Sequence, residues 1–246
     1  MLMDNYFSEQ KKVLDKIEKT QRENIIKAAR AIADSISNDG MWHILDTGHM
    51  LMYEGVGRTG GMMALRPVKI NCTVDNKTRF RSMEGKAKVY YDMVDGFADY
   101  VLGQMNIKAG DVFVIGSVSG YNNLPVQLAL SAKEMGVTTI GITSVEYSKR
   151  LVSAHKSGKR LFEAVDIVLD NCAEYGDAMV YVKSLDKKIC PSTGIGASYI
   201  MWALQSTVVE FLIEKGLTPS TYISNHMPDA AKLNGEAWDN YEKKGY

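Results

Sequence analysis

Val112-Phe113-Val114-Ile115-Gly116-Ser117-Val118-Ser119-Gly120-Tyr121-Asn122 is the stretch on which the fold turns. Its first four residues form an uninterrupted apolar run, the pattern of a strand covered on both faces. The small polar residues after it read as a loop. Leu124 to Met135 then has helical spacing, Gly136 supplies the stop, and Val137 to Ile142 reads as another strand. Strand, tight loop, helix, strand is a βαβ unit, which requires parallel strands.

The same alternation extends in both directions. Upstream, Trp42 to Leu45 reads as a buried strand running into Asp46-Thr47-Gly48-His49, followed by a helical stretch through Tyr53, Glu54 and Arg58. A second strand is expected over Ala64 to Ile70, and a helix over Lys86 to Gln104 with Tyr90, Phe97 and Tyr100 on one side. Downstream come a short helix near Lys159 to Ala164, a strand over Val165 to Asp170, a long helix from Thr193 to Lys215, and a last amphipathic segment from Ala230 to Tyr241. In residues 5–37, Phe7, Leu14, Ile17, Ile25, Ala28, Ile32 and Ile36 repeat at the three-and-four spacing of an amphipathic helix, with the polar stretch Glu18 to Asn24 as a point where it can divide. The expected fold is a three-layer α/β/α sandwich on a mainly parallel sheet, with an N-terminal helical arm (1–38) and one ligand-binding body (39–246).

Composition narrows the partners. With 46% hydrophobic and 24% charged residues in 246, the chain has enough apolar side chains for a sizeable core. Lys+Arg 29 balances Asp+Glu 29, so affinity for nucleic acid or an acidic membrane through overall charge is excluded. Positive charge is instead local: Arg66, Lys69, Lys77, Arg79, Arg81, Lys86 and Lys88 form one cluster, and Lys149, Arg150, Lys156, Lys159 and Arg160 another. Cys72, Cys172 and Cys190 are too widely spaced for a disulfide framework or a zinc site, which points to a reducing cytoplasm. Neither a secretion leader nor a membrane span is expected, nor any metal or cofactor.

Ligands of open parallel sheets bind beyond the carboxyl ends of the strands. Three small-polar loops fall there: Thr47-Gly48-His49, Ser117 to Asn122, and Thr143-Ser144. In the second, serine hydroxyls and backbone amides precede a helix N-terminus, an arrangement that cradles an anion, and Gly120 allows close backbone approach. Neither a Walker loop nor a dinucleotide fingerprint is present, which argues against ATP and NAD.

Ser117-Val118-Ser119-Gly120-Tyr121-Asn122 after a buried strand resembles the Ser-x-Ser-Gly phosphate loop of the SIS (sugar isomerase) domain, and Pro191-Ser192-Thr193-Gly194 resembles the element that closes that pocket. Thr47-Gly48-His49, His155 to Lys159, Asp170-Asn171-Cys172 and Gly176-Asp177-Ala178 extend the likeness to a bacterial SIS subfamily related to phosphoheptose isomerase. The resemblance implies a phosphosugar-binding protein that works as a homodimer or homotetramer with pockets near the interfaces. It assigns the phosphate to Ser117, Ser119, Gly120 and Asn122, with Ser192 and Thr193 assisting and Thr47 and Gly48 at the neighbouring strand end.

Aldose–ketose isomerisation needs a base to move a proton between C1 and C2 and a second group at the carbonyl oxygen. Glu54 stands where phosphoheptose isomerase carries its glutamate. The partner histidine of the long helix has no counterpart, since Tyr199 to Lys215 contains none. His49 and His155 are the candidate second groups and His226 is a third. The alternatives are a sugar-phosphate sensor without turnover, or an etherase-like lyase of an amino-sugar phosphate.

Overall fold

The computed structural model describes residues 1–73 and 90–246. Residues 86–89 of the expected helix, and Lys77, Arg79, Arg81, Lys86 and Lys88 of the first basic cluster, lie outside the described residues. Strands β1 (Trp42–Asp46), β2 (Leu65–Pro67), β3 (Val112–Gly116), β4 (Thr138–Thr143) and β5 (Ile167–Asp170) form one sheet in the order β2-β1-β3-β4-β5. Every pairing in it is parallel. Helices α1 (Leu2–Ser37), α6 (Thr193–Glu214) and α7 (Ala230–Lys244) cover one face; α2 (Phe97–Gln104), α3 (Asn123–Glu134) and α5 (Leu161–Ala164) cover the other. The fold is the three-layer sandwich expected.

Side-chain alternation along the strands builds the two cores. Trp42, Ile44, Val112, Val114, Ile140 and Ile142 join Ile17 and Ile32 of α1 and Ile200, Leu204 and Val208 of α6. Leu45, Phe113 and Ile115 point the other way, into Val101, Leu124, Leu128 and Leu161. Because both faces are apolar, the strands read as continuous apolar runs.

Four elements differ from expectation. First, α1 is one unbroken helix: the polar stretch around residue 21 contains a buried Gln21 whose Oε1 accepts the Asp170 amide at 3.0 Å, so polarity there marks a packed contact. Second, residues 51–60 are turns and bends rather than helix, because Gly57 (φ 66°) and Gly60 (φ 84°) take conformations that end helices. Third, the segment before Gln104 reaches helix only after Gly96, itself left-handed at φ 75°; Tyr90 is extended and Tyr91–Met93 is a single 3-10 turn. Fourth, a hairpin of β6 (Ala178–Val182) and β7 (Lys187–Pro191), and the short helix α4 (Val145–Lys149), were not anticipated. Ser144 starts α4 by accepting the Tyr147 amide at 3.1 Å.

Candidate functional site

The register of the sheet sets Asp46 beside Gly116 and Thr143 beside Asp170, so four strands end on one edge. At the end of β1, Asp46 Oδ1 accepts the Gly48 amide (3.1 Å) and Oδ2 the Leu51 amide (2.8 Å), folding the 47–51 loop back on itself. Burial pushes the Asp46 carboxyl up, and the amides of Leu51, Gly48 and Met50 oppose that rise. The Thr47 amide and hydroxyl both donate to the Gly116 carbonyl, at 3.1 and 3.2 Å, joining this loop to the end of β3. Gly116 keeps this junction tight: a Cβ would stand 2.7 Å from Leu51 Cδ1 and 3.0 Å from Asp46 Oδ1, so both side chains would have to shift.

The β3–α3 loop is held from below. The Ser117 amide donates to the Ile142 carbonyl (3.0 Å), the Gly120 amide to Ser117 Oγ (3.3 Å), and the Ser144 amide to the Val118 carbonyl (2.9 Å). Gly120 sits at φ 57° with Thr143, Leu161 and Ser148 packed beneath it. The amides of Ser119, Tyr121, Asn122 and Asn123 have no hydrogen-bond partner among the described residues and cluster at the positive end of the α3 dipole. Ser117 is buried and Ser119 half-buried.

Two backbone bonds strap the second basic stretch onto this loop: Ala154 donates to the Tyr121 carbonyl (2.9 Å) and Leu161 to the Gly120 carbonyl (2.8 Å). Within it Arg160 grips Glu163 at 2.7 and 2.9 Å, which holds that carboxyl down at about 2, and Arg150 pairs with Glu146 at 2.6 Å. Lys156 and Lys159 are exposed and form no ion pair among the described residues. His155 is 4% exposed; the Ser157 amide donates to its Nδ1 (3.2 Å), leaving Nε2 to donate to Gln127 Oε1 (2.7 Å). Burial, then the Lys156 charge, pushes its pKa down. Both ring nitrogens are engaged: Nδ1 by Ser157 within the basic stretch, and Nε2 by Gln127, which ties that stretch to α3.

Ser192 and Thr193 are fully buried at the head of α6, but their donors are engaged. Asp177 Oδ1 accepts both amides at 3.0 Å, and Oδ2 accepts the Thr193 hydroxyl at 2.7 Å. Asn122 similarly donates its Nδ2 to Asp92. Own-chain carboxylates thus occupy side-chain or amide donors of three residues that the resemblance gives to a phosphate, Asn122, Ser192 and Thr193. Ser144, from the third of the small-polar loops, and Asn171 close the edge: Ser144 Oγ donates to the Ala173 carbonyl (2.6 Å) and Asn171 Nδ2 reaches Met50 Sδ (3.4 Å).

Residues 5–144 match the SIS domain family, a span that includes β1, β3, the Ser117–Asn122 loop and α3. The chain belongs to the SIS domain family. Over nearly its whole length it is also similar to two UPF0309 proteins. One, from Geobacillus thermodenitrificans, is 30% identical over 99% of this chain and 96% of the relative; the other, from Caldanaerobacter subterraneus subsp. tengcongensis, is 31% identical over 99% and 98%. Among solved structures, the phosphoheptose isomerases of Neisseria gonorrhoeae (TM-score 0.52) and Francisella tularensis (TM-score 0.51) share the fold. Each is 14% identical and covers 85% of this chain; this chain covers 97% and 96% of theirs.

In this SIS domain Glu54 lies on an exposed turn after β1, its Oε2 3.3 Å from Arg58 Nε. Gln205 of α6 pins that turn from beneath, accepting the Met62 amide (3.0 Å) and donating to the Gly55 carbonyl (3.1 Å). No hydrogen bond among the described residues joins Glu54 to the Ser117–Asn122 loop. His49 is exposed at the β1 end and His226 exposed before α7. His43 is buried against Asp111 Oδ2 at 3.0 Å, a structural pair. Among the described residues no cluster of His, Cys, Asp and Glu could hold a metal ion.

Proposed function

We propose that this SIS domain protein binds a phosphorylated sugar, its phosphate seated on the Ser117 and Ser119 hydroxyls and the amides leading into α3. The observation that carries the reading is that cluster of amides without partners among the described residues, at a strand end, backed by a helix dipole and with Lys156 and Lys159 on the stretch strapped to the loop. Gly120 lets the ligand approach the backbone, and Thr47 and Gly48 form the adjoining rim. Asn122, Ser192 and Thr193 join the cradle by exchanging Asp92 and Asp177 for ligand oxygens. The fold shared with two phosphoheptose isomerases suits this ligand class, and the three unpaired cysteines suit a reducing cytoplasm. No helix among the described residues is long and apolar enough to cross a membrane.

The chemistry we assign to the site is isomerisation or a related enolisation, with Glu54 as the base that moves a proton at C2 and His49 as the nearest histidine on the same loop. A specific observation favours a second reading, a sensor without turnover: α6 carries no histidine and both nitrogens of His155 are engaged.

A thermal-shift screen with hexose, heptose and amino-sugar phosphates separates these readings when followed by C2 proton exchange in deuterated water. Ligand at about 100 times its dissociation constant adds about 2.7 kcal/mol, a clear melting shift. Exchange lost in Glu54→Gln supports the enzyme, and binding without exchange supports the sensor. Product lacking the ether-linked side chain of an amino-sugar phosphate supports the lyase. If no sugar phosphate shifts melting, and Ser117→Ala and Ser119→Ala behave as the parent, the phosphate assignment is wrong.

A further inference from the structure

The five-stranded sheet ends on β2, and the first basic cluster begins at that free edge: Arg66 lies in β2 and Lys69 just beyond it. Two hollows of about 730 and 480 Å³ meet there, both lined by Met41, Arg66 and Asn106. The larger runs between Val68 and Ile70 on one side and Phe97, Tyr100 and Val101 of α2 on the other. Met41 and His43 on its wall stand at the start of β1, whose other end meets the Ser117–Asn122 loop. The hollow and that loop thus lie at opposite ends of one strand.

Among the described residues no carboxylate lines the larger hollow. The nearest one, Asp111, is fully buried and already accepts the Met41 amide (2.9 Å), the Lys108 amide (3.0 Å) and the His43 Nε2 proton (3.0 Å). Asp39 and Glu242 line the smaller hollow, where Lys108, Lys243 and Lys244 accompany them. Arg66 is half-buried and pairs with no carboxylate among the described residues. Its guanidinium instead lies 5.4 Å from the Tyr241 ring centre and 5.7 Å from that of Trp238, two rings of α7 that meet edge to face. An arginine stacked in this way is held in place while its fork of N–H donors stays available, so little freedom is lost when an anion takes the fork.

The lining specifies the ligand. Two cations without an acid attract an anion, and the planar fork of Arg66 matches a carboxylate with two parallel hydrogen bonds. The apolar and aromatic walls suit an apolar body, and about 730 Å³ is room for a small molecule. A single negative charge is favoured over a phosphate dianion, because each further charge buried among Val68, Ile70 and Val101 adds a desolvation cost. We infer that this hollow is a binding site for an aromatic carboxylic acid, its carboxylate on Arg66 with Lys69 alongside and its ring against Val68, Phe97 and Tyr100. This does not depend on the sugar-phosphate reading.

Isothermal titration of the full chain with indoleacetate and phenylbutyrate tests it, each acid run beside its neutral amide. One molecule of each acid should bind per chain, and each amide at least tenfold more weakly. Arg66→Met keeps an aliphatic stem against Trp238 and Tyr241 and removes the fork. It should weaken both acids at least tenfold, with the far-UV circular dichroism spectrum unchanged. If that variant fails to fold, Gln104→Trp, at an exposed position on the α2 wall, should fill the hollow and give the same loss. A hexose phosphate should displace neither acid. No binding of either acid at about 1 mM overturns the proposal, as do amides that bind as tightly or binding that survives the substitutions. Displacement by the hexose phosphate also overturns it, since the acid would then sit on the Ser117–Asn122 loop.

Discussion

Asp177 and Thr193 are joined twice: the Thr193 amide donates to Oδ1 at 3.0 Å and its hydroxyl to Oδ2 at 2.7 Å. A residue in left-handed backbone (φ 65°) at the base of the β6–β7 hairpin thereby supplies the negative charge that the α6 N-terminus attracts. The hairpin and the site edge are one mechanical unit.

Replacing Asp177 with Ala strips the acceptor from the buried Ser192 and Thr193 donors. The expected loss of unfolding free energy in urea is about 2–3 kcal/mol. Asp177→Asn keeps one acceptor oxygen and should lose about 1 kcal/mol. A loss below about 0.5 kcal/mol in the alanine variant would show that α6 does not depend on this contact.

Gly120→Ala puts a side chain at φ 57°, with its Cβ 3.0 Å from Thr143 Oγ1 and 3.1 Å from Leu161 Cβ. Left-handed backbone alone costs about 1–2 kcal/mol for an alanine. The variant should melt lower and lose any melting shift with sugar phosphate; unchanged binding would place the ligand away from this loop.

Gln205→Leu leaves the Met62 amide and the Gly55 carbonyl without their partner. A stability loss of about 1–3 kcal/mol is expected, with faster proteolysis between residues 54 and 62. Since Glu54 borders this turn, C2 exchange should fall while sugar-phosphate affinity holds. Equal loss of both would show that the turn supports the phosphate cradle as well.

His155 gives a pH signature. Its folded-state pKa lies below the ordinary 6.5, so the unfolded chain takes up a proton first as pH falls. The stability this buried neutral ring contributes is complete above about 6.5 and is lost as pH drops toward the folded-state value. Between about pH 7.5 and pH 5 the parent should therefore lose more melting temperature than His155→Gln. Parallel curves for the two would mean the ring titrates as freely folded as unfolded.

What the sequence disclosed follows the distance over which each signal acts. The β3–loop–α3–β4 unit is local and its boundaries come out within a residue or two, as does the position of Ser117 and Ser119 at a strand end. The engagement of Ser192 and Thr193 depends on a carboxylate fifteen and sixteen residues earlier, and the continuity of α1 on a Gln21 contact 149 residues away; no periodicity carries either. The helix expected at Glu54 is different, because Gly55, Gly57, Gly60 and Gly61 stand in the sequence as breakers. His155, a candidate second group in the sequence, is held by Gln127 on α3, a contact 28 residues away that no local pattern carries.

The pairing of α1 with α6 also sets a schedule. Glu18 and Tyr199 are 181 positions apart. At about 5–20 residues per second of synthesis, α1 leaves the ribosome roughly 10–40 s before the helix that covers its apolar stripe exists. During that interval Ile17, Ile25 and Ile32 have only the strand side of their native packing, so the layer they form with Ile200, Leu204 and Val208 closes only once the last third of the chain has emerged.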